Sequence, residues 1–130
     1  MKILILGASY GSLLSTKLLM AGHDVTLICR SKSAALINDN GTEVRIKLRD
    51  EDGHRAFRSH DLAGKLDAVT SADARPENYD MISLAMQEPQ YSEPQVRDLM
   101  QRIAASRKPC LSIMNMPPLP FLRRIDALAE

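Results

Sequence analysis

The first 28 residues constrain the fold more than any other part of the chain. Lys2 is followed by Ile3, Leu4, Ile5 and Leu6, a run with no polar face, and Gly7 ends it. A strand that is apolar on both sides belongs in a parallel sheet covered on both faces. Residues 12–21 then read as a helix, with Leu14 and Leu18 one turn apart and Leu13 beside them. Gly22 stands where a helix ends in a left-handed residue, and residues 24–29 form a second β-rich run. Strand, glycine turn, helix and strand within about thirty residues make a βαβ unit.

The rest of the chain continues in the same alternation. Residues 33–39 predict a short helix, stopped by Asn40 and Gly41. Val44, Ile46 and Leu48 alternate with Arg45, Lys47 and Arg49, the pattern of a half-exposed strand. The turn at residues 50–53 predicts a hairpin returning through residues 54–59. Strands follow at 66–70, 81–86 and 110–114. Between the last two, Val96, Leu99, Met100 and Ile103 fall at i, i+3, i+4 and i+7, with Ser92 as the expected N-cap, Gln95 completing a capping box and Pro94 in the first turn. Phe121, Leu122, Ile125 and Leu128 give a last amphipathic helix. The expected architecture is α/β: a Rossmann-like, doubly wound, mostly parallel sheet with helices on both faces, plus a β-hairpin, in one domain spanning residues 1–130.

Composition excludes several classes of function. The formal net charge is +1 with both signs interspersed, so there is no electrostatic case for nucleic acid or an anionic membrane as partner. No apolar run reaches the length of a membrane span. The N-terminus begins a strand and carries no signal-peptide pattern, which points to a cytoplasmic protein. Cys29 and Cys110 lie in strand-like runs and read as reduced core residues. His23, His54 and His60 have no metal-ligand spacing, so no metal is expected.

What the βαβ unit offers is a phosphate site. A helix N-terminus supplies free N–H groups and partial positive charge, which a pyrophosphate needs. The turn here is Gly7-Ala8-Ser9-Tyr10-Gly11-Ser12, with Ser9 in place of the second glycine of the usual Gly-x-Gly-x-x-Gly and Gly11 one place early. NAD enzymes place an acid at the end of the second strand for the ribose 2′-OH. This chain has Arg30, Ser31, Lys32 and Ser33 there, and cations with hydroxyls suit a 2′-phosphate. The expected cofactor-binding residues on this edge are Gly7, Ser9, Tyr10, Gly11, Arg30, Ser31 and Lys32. Residues 85–90, beyond the carboxyl end of another strand, are expected to form a further wall.

The order of landmarks resembles the N-terminal domain of the ketopantoate reductase (2-dehydropantoate 2-reductase) family. The resemblance covers almost the whole chain: Met1-Lys-Ile with its turn, Ala21-Gly-His-Asp-Val25, Arg30 after the second strand, Leu36-Ile-Asn-Asp-Asn-Gly41, Tyr79-Asp80 before a strand, and Ile113-Met-Asn115. It implies NADP(H) as cofactor and hydride transfer to a 2-oxo acid or related carbonyl. It further implies that Ala85, Met86 and Gln87 line the cofactor and that Asn115 is the catalytic-site residue beside the nicotinamide. The chain departs from the family at three places. The glycine loop is one residue shorter, Gln87 replaces a lysine, and Met116-Pro117-Pro118 follow Asn115 where the family has a glycine. The family's C-terminal helical domain, which supplies the catalytic lysine and substrate-binding acid, would lie beyond Glu130, so a small carbonyl substrate is expected only with that second domain. The alternative is a non-catalytic Rossmann module that senses a nucleotide or binds a partner. A methyltransferase fits less well, because its cofactor has no phosphate for Arg30 to bind. Assembly into a homo-oligomer stays open.

Overall fold

The computed structural model describes residues 1–113, 123 and 124. Five strands form one parallel sheet: β1 (Lys2–Leu6), β2 (Asp24–Ile28), β5 (Leu66–Val69), β6 (Met81–Leu84) and β7 (Cys110–Ser112), in the order β5-β2-β1-β6-β7. The chain runs outward from β1 on one side, then returns to β6 on the other, so the order reverses between β1 and β6. The expected hairpin is present as a separate antiparallel pair, β3 (Glu43–Lys47) and β4 (His54–Arg58), with Val44 opposite Phe57.

Helices cover both faces. α1 (Ala8–Met20) and α2 (Ser31–Asn40) pack on one face through Leu19 and Ala34, against Ile3, Ile5, Val25, Leu27 and Ala68. α3 (Pro94–Ser106) packs on the other through Val96, Leu99, Met100 and Ile103, against Leu4, Leu6, Ile82 and Leu84. Alternate residues of β1 thus enter opposite cores, which is why the run Ile3 to Leu6 has no polar member. This is the doubly wound, Rossmann-like arrangement expected from the chain's alternation.

Several local details differ from expectation. α1 starts at Ala8, not four residues later. Gly11 is therefore not a loop glycine. It lies buried inside α1, where an added Cβ would stand 2.7 Å from Ile5 Cγ2, so its role is to let the helix approach β1 closely. At the other end, Gly22 is left-handed (φ 85°), and the amides of Gly22 and His23 donate to the carbonyls of Leu19 and Leu18. These bonds form a Schellman closure around Gly22, which holds the C′ position expected of it. α3 is capped at Glu93, not Ser92. Pro94 at the first helical position holds the preceding residue extended, so the boundary falls at Glu93 (φ −65°, ψ 134°), and Ser92 closes a 3-10 turn, Glu88–Ser92. Cys110 is exposed rather than buried in the core.

Asn38 has a role that the sequence did not disclose. Its side-chain amide donates to the Ala68 carbonyl and its side-chain oxygen accepts from the Ala68 amide, both at 2.8 Å. It thereby occupies the unpaired edge of β5 as another strand would. Among the described residues, no helix is long and apolar enough to cross a membrane.

Candidate functional site

The carboxyl ends of the parallel strands open into a cleft of about 610 Å³. Its lining comes from four segments: Gly7, Ala8 and Ser9 after β1; Ile28, Cys29, Arg30, Ser31 and Ser33 at and beyond the end of β2; Thr70, Ser71 and Ala72 after β5; and Met86, Gln90, Glu93, Gln95 and Val96 from the end of β6 into the first turn of α3. A volume of this size is within the range of small-molecule sites, and the switch in strand order is where open α/β sheets bind ligands.

The N-termini of α1, α2 and α3 all line this cleft. In α1 the first backbone bond runs from Gly11 N–H to the Gly7 carbonyl, and no side chain caps the helix. Among the described residues, the amides of Ala8, Ser9 and Tyr10 therefore keep donors free for an anion. In α2 the first bond runs from Ala34 N–H to the Arg30 carbonyl, again with no side-chain cap. The amides of Ser31, Lys32 and Ser33 are free in the same sense. Gly7 makes the first approach possible. Its φ is 104°, and a Cβ there would lie 2.7 Å from the Ala85 carbonyl oxygen, so the turn passes against the end of β6 with no room for a side chain.

The expected site residues divide into two groups. Gly7, Ser9, Arg30, Ser31 and Met86 share the cleft. Tyr10, Gly11, Lys32, Ala85 and Gln87 are not in its lining. Ala85 is buried against the α1 face, and its amide donates to the Leu6 carbonyl at 2.9 Å. Tyr10 and Gln87 meet beside the cleft, with Gln87 Nε2 donating to Tyr10 Oη at 3.1 Å. Gln87 in turn donates its amide to Gln90 Oε1 at 2.9 Å, which orders the turn leading to α3. Asn115 and the apolar residues Phe121, Leu122, Ile125 and Leu128 lie outside the described residues.

Sequence reasoning missed the wall formed by Thr70, Ser71 and Ala72. The rule that ligands bind beyond strand carboxyl ends, applied to β5 as it was to β6, would have found it. It also missed the residue that holds this wall. Arg102 on α3 donates to the carbonyls of Ser71 and Ala74, both at 2.5 Å, and pairs with Asp98 at 3.0 Å.

Tyr91 supports the opposite wall. It is buried to 1% exposure, and its hydroxyl accepts from the Met86 amide at 3.3 Å. Burial is the main cause that raises its pKa to about 12. An unfolded tyrosine ionises near pH 10, so the neutral phenol's contribution is complete below that pH. It is then lost as pH rises towards about 12. Over this window the wild-type chain should lose roughly 2–3 kcal/mol that Tyr91→Phe does not lose, which denaturant titrations at stepped pH will measure. Cys29, half-buried in the cleft, has its thiol pKa raised by burial, so it is not an activated nucleophile.

Fold and cleft together define a Rossmann-like α/β domain with its site at the topological switch point. Residues 3–115 match the family profile described as Ketopantoate reductase PanE/ApbA. The chain belongs to the ketopantoate reductase family, and what it represents is the N-terminal domain. A structure from Bacillus subtilis assigned as a 2-dehydropantoate 2-reductase is similar at 26% identity and TM-score 0.59, covering 88% of this chain and 34% of that one. One from Ralstonia solanacearum assigned as a ketopantoate reductase gives 21% and 0.60, over 93% and 34% of the two chains. A further 2-dehydropantoate 2-reductase assignment, from Enterococcus faecalis, gives 19% and 0.57, over 96% and 37%. The chain thus spans about a third of the length of these solved structures. No curated protein matches it by sequence.

Proposed function

We propose that the cleft binds NADP(H), and that the chain is the cofactor half of an oxidoreductase that transfers hydride to a 2-oxo acid or related carbonyl. The observation that carries this is Arg30 at the mouth of a cleft that already presents the uncapped N-terminus of α1. The free amides of that helix suit the pyrophosphate. Arg30, with Ser31 and Ser33 at the start of α2, suits a ribose 2′-phosphate, where a guanidinium can bind two oxygens at once. When bound, the nicotinamide would supply the hydride, and this chain's residues would orient it. Reduction itself would need groups from a second domain. Asn115 remains the proposed residue beside the nicotinamide. Gly11 enters the proposal only through packing.

The same geometry serves a second reading, a nucleotide-sensing module without catalysis. The observation favouring it is Gln87, which stands where the resemblance places a lysine and is turned to Tyr10 instead of the cleft.

Calorimetric titration with NADPH and NADH tests the proposal. The chain should bind NADPH more tightly. Arg30→Ala should weaken NADPH by more than ~1 kcal/mol, about fivefold or more in Kd, while leaving NADH nearly unchanged. Equal losses for both cofactors would remove the 2′-phosphate assignment. Binding of neither by the folded chain would remove the cofactor site.

A further inference from the structure

We infer that Glu93 sets the cofactor preference of this cleft by competing with the ligand for Arg30. The inference rests on the nucleotide reading of the cleft and adds to it a residue that opposes the 2′-phosphate.

Glu93 is the extended residue before Pro94, at the start of α3. Its Oε1 lies 3.9 Å from Arg30 Nη2, and both residues line the cleft. The pair joins the start of α2 to the start of α3. The side chains are 87% and 51% exposed, so the contact adds little to folding. A ligand, however, meets both groups. A 2′-phosphate reaching Arg30 carries nearly two negative charges and must displace the Glu93 carboxylate or remain beside it. Either course weakens its hold, through a lost partner or through repulsion between like charges. An unphosphorylated ribose imposes neither penalty, because its hydroxyls are neutral and can donate to a carboxylate. Arg30 therefore pulls the site towards NADPH, Glu93 pulls it back, and the preference over NADH is narrower than Arg30 alone would give.

The test is a double-mutant cycle on the 130-residue chain. NADPH and NADH are titrated into wild type, Glu93→Gln, Arg30→Ala and the double variant, with melting curves to show that each is folded. Glu93→Gln keeps the shape and removes the charge. It should tighten NADPH by ~3–5-fold and leave NADH within about twofold. In the Arg30→Ala background the gain for NADPH should fall below about twofold, because the contested partner is gone. Raising salt to about 0.5 M should shrink the wild-type gain, as expected of exposed charges. Unchanged NADPH affinity in Glu93→Gln, with wild type still preferring NADPH, overturns the role of Glu93 and leaves the cofactor site intact. Failure of wild type to bind either dinucleotide overturns both.

Discussion

Replacing Gly7 with alanine is expected to destabilise the domain by about 3–5 kcal/mol and to abolish nucleotide binding in whatever fraction still folds. Two costs act at once. The φ of 104° is a conformation that L side chains rarely adopt, and such strain costs roughly 1–3 kcal/mol. The new Cβ would also stand 2.7 Å from the Ala85 carbonyl oxygen and 3.0 Å from its carbon. Those are backbone atoms of the segment leaving β6, so they cannot rotate away, and overpacking of this kind adds about 1–3 kcal/mol. Gly7 also donates its own amide to the Ile28 carbonyl at 3.1 Å, so any shift of the turn disturbs the end of β2 and with it Arg30. A total near 4 kcal/mol is a large share of the 5–15 kcal/mol typical of a domain. Chemical denaturation gives the stability change, and titration with NADPH gives the functional one. A variant as stable as wild type would show that the turn can relax and that the close approach to Ala85 is not required.

Gly64→Ala should have a comparable effect on stability for a different reason. An added Cβ would fall 1.9 Å from the His23 carbonyl oxygen. The Gly64 amide also donates to the Leu19 carbonyl at 3.0 Å. The chain entering β5 is thus pressed against the C-terminal turn of α1, backbone to backbone. Either the loop or the helix end must move, and about 3 kcal/mol is the expected loss, at the upper end of overpacking. The cleft lies at the opposite end of the strands, so the nucleotide affinity of the folded fraction should stay within about twofold of wild type. Urea titration and calorimetry on the same preparation separate the two quantities. A fall in affinity matching the fall in stability would mean that strain at the amino ends of the strands reaches the cleft.

These two glycines mark how far the sequence can be read. Gly7 was legible because its neighbours in sequence explain it: an apolar strand before, a helix after and a second strand within reach. Gly64 sits in a polar stretch with no periodic context, and the atoms that exclude its Cβ belong to His23, forty-one positions away. Gly11 falls between the two cases. The pattern drew attention to it but put it in the turn, whereas the contact that needs it is with Ile5 across the helix–sheet interface.

The same division runs through the site. The sequence marked Arg30, Ser31, Ser9 and Met86, which share the cleft, because a strand's carboxyl end is visible as the end of an apolar run, and such ends converge in a parallel sheet. Glu93 and the wall at Thr70 to Ala72 join them only because the crossover places α3 and β5 around the same opening. The Arg102 bonds to Ser71 and Ala74, and the Asn38 pairing with Ala68, each span about thirty residues with no local signature.

Taken alone, then, the sequence determined the type and order of the strands and α-helices among the described residues, and that the sheet is parallel and doubly wound. It also determined that a glycine turn joins the first strand to a helix N-terminus, since hydrophobic period, glycine placement and strand ends are local properties. The tertiary structure decided which of the marked residues share one cleft, which glycines exist for packing, and that a carboxylate faces the one arginine the cofactor assignment depends on. Those outcomes depend on distances between remote segments, and such distances are set only when both faces of the sheet are covered.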